Sequence, residues 1–255
     1  MTSWIRRSRS LLQRLSYHPG NDNSEHWKSR ATAPGESAVW FKNEALNRCI
    51  RSAQFRILEP YLWKLPQGAH VLDLGCGTGV VTRHMLQVRS DLRIVAIDFP
   101  QMIDRARAES VQYQGVEWIC QSATEFKRFE QFDLVVSVGS ISMIRHEPDF
   151  WQAIENVSVS VVRGGIVLLI DPFHTSNFLA RVKVSPTNVR RSLQARGFNV
   201  DQHRGITFWP LREMISNTNT NSNWTERLYC LGEAVIALPG LDLLSDYKVI
   251  IGEKL

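Results

Sequence analysis

The sequence has few cysteines and no hydrophobic run of membrane-spanning length. Its longest uninterrupted apolar stretches, such as residues 166–170, fall far short of the roughly 18 residues that cross a bilayer. No apolar core follows the arginines near the start, so a cleavable secretory leader is not expected. Cys49, Cys76, Cys120 and Cys230 stand apart, with no Cys-x-x-Cys pair and no histidine at metal-ligand spacing. That scatter predicts reduced thiols, a cytoplasmic setting and no metal site. Internal repeats are also missing.

A basic main domain is missing too. The net charge of +5 comes entirely from residues 1–60, because residues 61–255 balance their charges. Nucleic acid is therefore not the favoured partner, although a pI near 9.2 alone would point to it. Residues 2–18 interleave Trp4, Ile5, Leu11, Leu12 and Leu15 with Arg6, Arg7, Arg9 and Arg14. This suits a short basic amphipathic helix. Contact with a membrane surface through residues 2–16, organelle targeting, and packing on the chain's own domain all fit it. Residues 18–37 read as a connector. Residues 38–65 have helical periodicity through Phe41, Leu46, Ile50, Phe55, Leu58 and Leu62, with Pro60 and Pro66 punctuating the end. Residues 1–65 are thus expected to form a helical extension or substrate cap.

What is present from residue 69 onward is alternation. Strands are expected at 69–74, 93–97, 116–120, 132–138 and 165–170. Helices are expected at 80–88, 100–110, 148–161 and 185–196, with a short one near 123–129. Gly197 is placed to cap the last long helix. Strand-like segments follow at 198–209 and 246–255, and the polar run 216–226 reads as an exposed loop. Short, apolar, β-branched strands predict a mostly parallel sheet covered by helices on both faces. The fold class is α/β, doubly wound, with an N-terminal helical extension. Residues 66–255 form the main domain, and 209–244 are its variable part, a candidate substrate lid.

The first strand ends in "VLDLGCGTGV", where Gly75, Gly77 and Gly79 fall within five positions. Glycine there lets a ligand approach the main chain at the start of a helix, where backbone N–H groups are exposed donors. Asp98 ends the second strand, 19 residues after Gly79, where a carboxylate can accept both hydroxyls of a ribose. The spacing is G-x-G-x-G. A nicotinamide-dependent oxidoreductase, which uses G-x-G-x-x-G, is the weaker reading.

"VLDLGCGTGVVT", "IVAIDFPQMIDRAR", "FDLVVSVGSISMI" and "VRGGIVLLIDPF" together resemble successive motifs of the class I S-adenosylmethionine-dependent methyltransferases. The resemblance runs over about residues 68–174 and implies a Rossmann-like, seven-stranded sheet with S-adenosylmethionine as cofactor and S-adenosylhomocysteine as product. It implies that Asp73 helps hold the methionine ammonium and that the turn Gly75, Cys76, Gly77 and Gly79 passes along methionine and ribose. Asp98 would take the ribose diol, while Phe99 and Met102 lie toward adenine. Ser122 stands where the family often has an adenine-binding aspartate, so Ser122 and the Ala123 backbone are expected there without charge assistance. Val138 and Gly139 would lie near the reactive methyl.

A base is needed only for an acceptor that arrives protonated. His146, His174 and Asp171 follow strand ends on the ligand-binding edge and are the candidates. Trp40, Phe41, Phe173 and Trp209, with Phe208, are candidate walls of an apolar acceptor pocket. The fourth-strand segment "SVGSIS" lacks the Asn/Asp-Pro-Pro-aromatic signature of nucleic-acid amine methylation, and there is no Pro-Cys nucleophile for cytosine. The acceptor is therefore expected to be small, apolar or aromatic, and methylated on oxygen in preference to nitrogen or carbon. The alternative is a catalytically silent module that binds S-adenosylmethionine or S-adenosylhomocysteine as a scaffold or regulator. A homodimer is compatible with either.

Overall fold

A computed structural model describes residues 41–173 and 184–255. Seven strands form one sheet: β1 (His70–Leu74), β2 (Arg93–Asp98), β3 (Val116–Cys120), β4 (Phe132–Val138), β5 (Val161–Asp171), β6 (Phe198–Phe208) and β7 (Ser245–Lys254). Their order is β3-β2-β1-β4-β5-β7-β6. The first five are parallel, whereas β7 runs antiparallel between β5 and β6. Connections leave β1 toward β2 on one side and reach β4 on the other. The order reverses at β1/β4, and a crevice opens at the carboxyl ends of those strands.

The apolar strand cores follow from burial on both faces. Alternate residues of one strand enter opposite layers. Val71, Ile94, Leu134 and Leu168 face a layer with Leu46, Ile50, Leu58 and Leu62 of α1 (Glu44–Leu62) and Met85 of α2 (Val80–Val88). Their neighbours Leu72, Val95, Val135 and Leu169 face Phe150, Ile154 and Val157 of α4 (Glu147–Ser160) and Val189 and Leu193 of α5 (Pro186–Gln194). The remaining crossover helix, α3 (Pro100–Ala108), begins with proline at its first position, where the missing N–H costs nothing.

Several expectations need correction. Residues 123–129 form no helix; residues 123–125 are a turn. Ser122 Oγ accepts from Thr124 N–H and lies 2.8 Å from Thr124 Oγ1, so local side-chain bonds compete with helix propagation. The polar run 216–226 is only half loop. Asn221 Oδ1 accepts from Asn223 N–H and caps α7 (Ser222–Ile236). Pro60 lies inside α1 rather than ending it. Between β6 and α7, α6 (Trp209–Ile215) carries Arg212, whose guanidinium is buried against Asp246 at 2.8 Å and ties this helix to β7.

Candidate active site

A cavity of about 300 Å³ opens at the β1/β4 crevice. Gly75, Cys76, Gly77 and Thr78 form its floor, Asp98, Phe99 and Met102 one side, Gln121 to Thr124 another, and Val138 to Ser140 the far wall. Met143, Ile144, Arg145, His146 and Asp149 complete the mouth. Asp73 and Arg51, both buried, also line the cavity.

Backbone bonds fix the glycine turn. Gly75 and Cys76 N–H both donate to the Ile97 carbonyl, at 2.9 and 3.0 Å. Asp98 then receives Gly77 N–H on Oδ2 and Phe99 N–H on Oδ1, each at 2.7 Å. Two main-chain donors hold this carboxylate rigid, and each oxygen retains a lone pair for a further donor. Burial raises the Asp98 pKa to about 6 against the pull of those N–H groups. Asp73 is held at 2.5 Å by the Thr82 hydroxyl. Burial likewise raises its pKa to about 6, and the Asp98 charge adds to the rise.

The three glycines serve different ends. Gly75, Gly77 and Gly79 have φ of 75°, 55° and 79°, which an L side chain resists. A Cβ on Gly75 would overlap the Ser140 side chain, so its bare position admits the β4 wall as well as any ligand. Gly79 does not line the cavity. A Cβ there would meet Trp118, Ala106 and Arg83 at 3.1–3.2 Å, so this glycine serves the packing of α2 on α3 and β3. Gly79→Ala is expected to cost about 1–2 kcal/mol of stability for its left-handed φ, while S-adenosylhomocysteine affinity stays within about threefold. Urea unfolding and calorimetry check the two halves.

Other sequence candidates divide. Asp73, Gly75, Cys76, Gly77, Asp98, Phe99, Met102, Ser122, Ala123, Val138, Gly139 and His146 share the cavity. His146 heads α4, and its Nδ1 lies 3.1 Å from Asp149 Oδ1. Asp171 is not on the cavity. It lies wholly buried behind the wall, where Oδ2 accepts from Ser137 Oγ at 3.0 Å and Oδ1 from Ser142 N–H at 3.1 Å. That clamps the turn Ile141–Met143 to β5. Phe173 points into the core and meets Phe150 edge-on at 6.2 Å. Phe41 packs under the Arg212 guanidinium at 5.4 Å. Neither it nor Trp209 nor Phe208 lines the cavity, which takes no residue from 209–244. Trp40, His174 and residues 2–16 lie outside the described residues. Sequence reasoning missed Arg51, Ser140, Met143, Ile144 and Asp149. Of these only Asp149 carried a signal, three residues after His146 across the start of a helix.

Among the described residues, no group of three or more His, Cys, Asp or Glu is arranged for a metal ion, and no helix is long and apolar enough to cross a membrane.

A family described as a methyltransferase domain matches residues 71–165. Malonyl-[acyl-carrier protein] O-methyltransferase of Acetivibrio thermocellus is 41% identical over 68 residues, 26% of this chain and 24% of that protein. 2-phytyl-1,4-naphtoquinone methyltransferase of Thermosynechococcus vestitus is 33% identical over 115 residues, 44% of this chain and 49% of that protein. The chain thus matches less than half the length of either relative. The N-methyltransferase NodS from Bradyrhizobium japonicum, solved with S-adenosylhomocysteine, superposes with a TM-score of 0.62 at 15% identity, covering 91% of this chain and 99% of that one. At that identity the likeness concerns the fold.

Proposed function

We propose that this chain is a class I S-adenosylmethionine-dependent methyltransferase that methylates a small, apolar or aromatic acceptor, on oxygen in preference to nitrogen or carbon. The observation that carries this reading is a single cavity joining the glycine turn, the Asp98 carboxylate and His146. The residues present suit the cofactor. Asp98 is fixed by two N–H donors with acceptor capacity left for a diol, and Asp73 offers a buried negative charge to an ammonium. Bound there, S-adenosylmethionine supplies a methyl group activated by its sulfonium.

The chain's own contribution is binding, alignment and a proton sink. Phe99, Met102 and Ala123 offer apolar surface for a purine. Val138, Met143 and Ile144 offer apolar surface beside the mouth, which supports an apolar acceptor. Alignment of the two reactants in one cavity accounts for much of such a displacement. Among the described residues His146 is the one histidine on the cavity, with its Nδ1 3.1 Å from Asp149 Oδ1, and its ring would take a hydroxyl proton.

The test is transfer of radiolabelled methyl from S-adenosylmethionine across a panel of phenols, alcohols, carboxylic acids and amines. Turnover confined to oxygen acceptors is expected, and turnover confined to amines overturns the preference for oxygen. With a hydroxyl acceptor, His146→Ala is expected to lower kcat by about 10²–10⁴ while leaving S-adenosylhomocysteine affinity near wild type. An unchanged kcat removes His146 as base. Tight cofactor binding with no turnover anywhere in the panel favours the scaffold alternative.

A further inference from the structure

We propose that residues 2–16, the basic amphipathic segment at the start of the sequence, dock along an exposed apolar stripe of α7 in the same chain. The stripe lies apart from the cavity, which takes no residue from 209–244.

Helix α7 buries Thr225, Tyr229, Gly232 and Ile236 against its own domain. One flank of the helix is apolar as well. Trp224, Leu228, Leu231, Val235 and, just past the helix end, Leu238 recur at steps of four, three, four and three residues. That is the spacing of a seam that receives another helix. Leu228 and Val235 are half-buried, while Trp224, Leu231 and Leu238 are 64%, 62% and 56% exposed. Single exposed apolar side chains are ordinary, but a line of them along one helix marks a contact surface.

The place where the described chain begins points to the occupant. Asn43 N–H donates to the Ser216 carbonyl at 3.1 Å, and the Asn43 side chain donates to the Ile215 carbonyl at 3.1 Å. Arg48 Nη2 donates to Ser222 Oγ at 3.2 Å, two residues before Trp224. The preceding residues therefore join the described chain at the junction of α6 and α7. Residues 17–40 can reach up to about 80 Å when extended. The stripe from Trp224 to Leu238 needs about 22 Å, and residues 2–16 would match that length as a helix. Trp4, Leu11 and Leu15 repeat at steps of seven and four residues, in keeping with the same seam.

The charges are also opposite. Residues 1–18 carry Arg6, Arg7, Arg9 and Arg14 and no carboxylate, a net +4. Residues 209–244 carry Glu213, Glu226, Glu233 and Asp242 against Arg212 and Arg227, a net −2. Because residues 61–255 balance overall, this attraction favours the α6–α7 region over the rest of the surface. A second copy seated on the stripe would bring two negative regions together, and an anionic membrane would meet the same repulsion.

The experiment replaces Leu231 by the photo-crosslinker benzoylphenylalanine in the full chain. Irradiation is expected to join position 231 to a residue between 2 and 16 at monomer mass, as read by peptide mass spectrometry. A product of dimer mass assigns the stripe to a second copy and overturns the proposal, as does a monomer with no crosslink to residues 2–16. Limited trypsin digestion reads the same contact without a label. Cleavage after Arg6, Arg7, Arg9 and Arg14 is expected to be at least about tenfold faster in Leu231→Glu and Trp224→Glu than in wild type, with unchanged circular dichroism. Both side chains are exposed, so the new charge leaves the fold intact. Equal cleavage rates overturn the proposal. Wild-type protein is expected to stay in solution with phosphatidylglycerol vesicles. Sedimentation with them that is lost in a chain lacking residues 2–16 assigns the segment to a membrane and overturns it too.

Discussion

Replacing Asp98 by alanine is expected to weaken S-adenosylhomocysteine binding by about a hundredfold or more. Two contributions combine. On the proposed reading the carboxylate accepts from a ribose diol, and a hydrogen bond to a charged group contributes about 1.5–3 kcal/mol. Two such bonds correspond to roughly two to four powers of ten, at about 1.4 kcal/mol each. The same carboxylate receives the Gly77 and Phe99 N–H groups, so its removal also releases the glycine turn from β2. Asp98→Asn keeps one acceptor but sets an amide NH2 against one of the two main-chain N–H donors, so it should retain only part of the affinity. Calorimetric titration of both variants checks this. An Asp98→Ala protein that binds within fivefold of wild type removes Asp98 from the site.

Gly75→Ala should produce the largest loss of stability of any single methyl group added at this site. The backbone there has a φ of 75°, costing an L residue about 1–2 kcal/mol. The new Cβ would also overlap Ser140, and forced overpacking costs about 1–3 kcal/mol. The sum is roughly 2–5 kcal/mol, readable by urea unfolding. Ser140→Gly in the same chain should recover the packing part and leave the backbone part. If the double variant is no more stable than Gly75→Ala, the Ser140 contact is not the cause. Ser140 belongs to the wall clamped by Asp171 through Ser137 and Ser142. The glycine turn and the far wall of the cavity are therefore fitted to each other before any ligand arrives.

The contrast between what the sequence disclosed and what it hid has a physical cause. Strands buried on both faces must be apolar at nearly every position, so β1, β2, β4 and β5 were readable as short runs. The glycine turn and Asp98 were readable because their local geometry demands particular residue types at a short separation. The outer half of the cavity was not. Phe41, Phe173 and Trp209 were candidates on chemistry alone, but nothing local to an aromatic residue says which face it meets: Phe41 and Phe173 pack in the core layers, and Trp209 does not line the cavity. Arg51 failed to stand out for the converse reason: on a helix with ordinary periodicity, one arginine is unremarkable until the sheet places Asp73 beside it. Gly79 misled because one motif mixes two demands, ligand approach at one glycine and helix packing at another.

The raised pKa values of Asp73 and Asp98 give the account a pH signature. For the unligated protein, the fold holds protons that the unfolded chain, with carboxylates near about 4, has released. These groups therefore stabilise the fold at acid pH, and their contribution falls as pH rises from about 4 through about 6. Cofactor binding has the opposite sense, since a diol and an ammonium both favour the ionised carboxylates.

The central claim, that this cavity binds S-adenosylmethionine through those carboxylates, is tested most directly by titrating the unmodified protein with S-adenosylhomocysteine in a calorimeter at pH 7.5 and at pH 5.0. At the lower pH each carboxylate with a pKa of about 6 is only about one-tenth ionised. Micromolar binding is expected at pH 7.5 and binding weaker by about ten- to a hundredfold at pH 5.0. No binding at pH 7.5, or equal affinity at the two values, would contradict it.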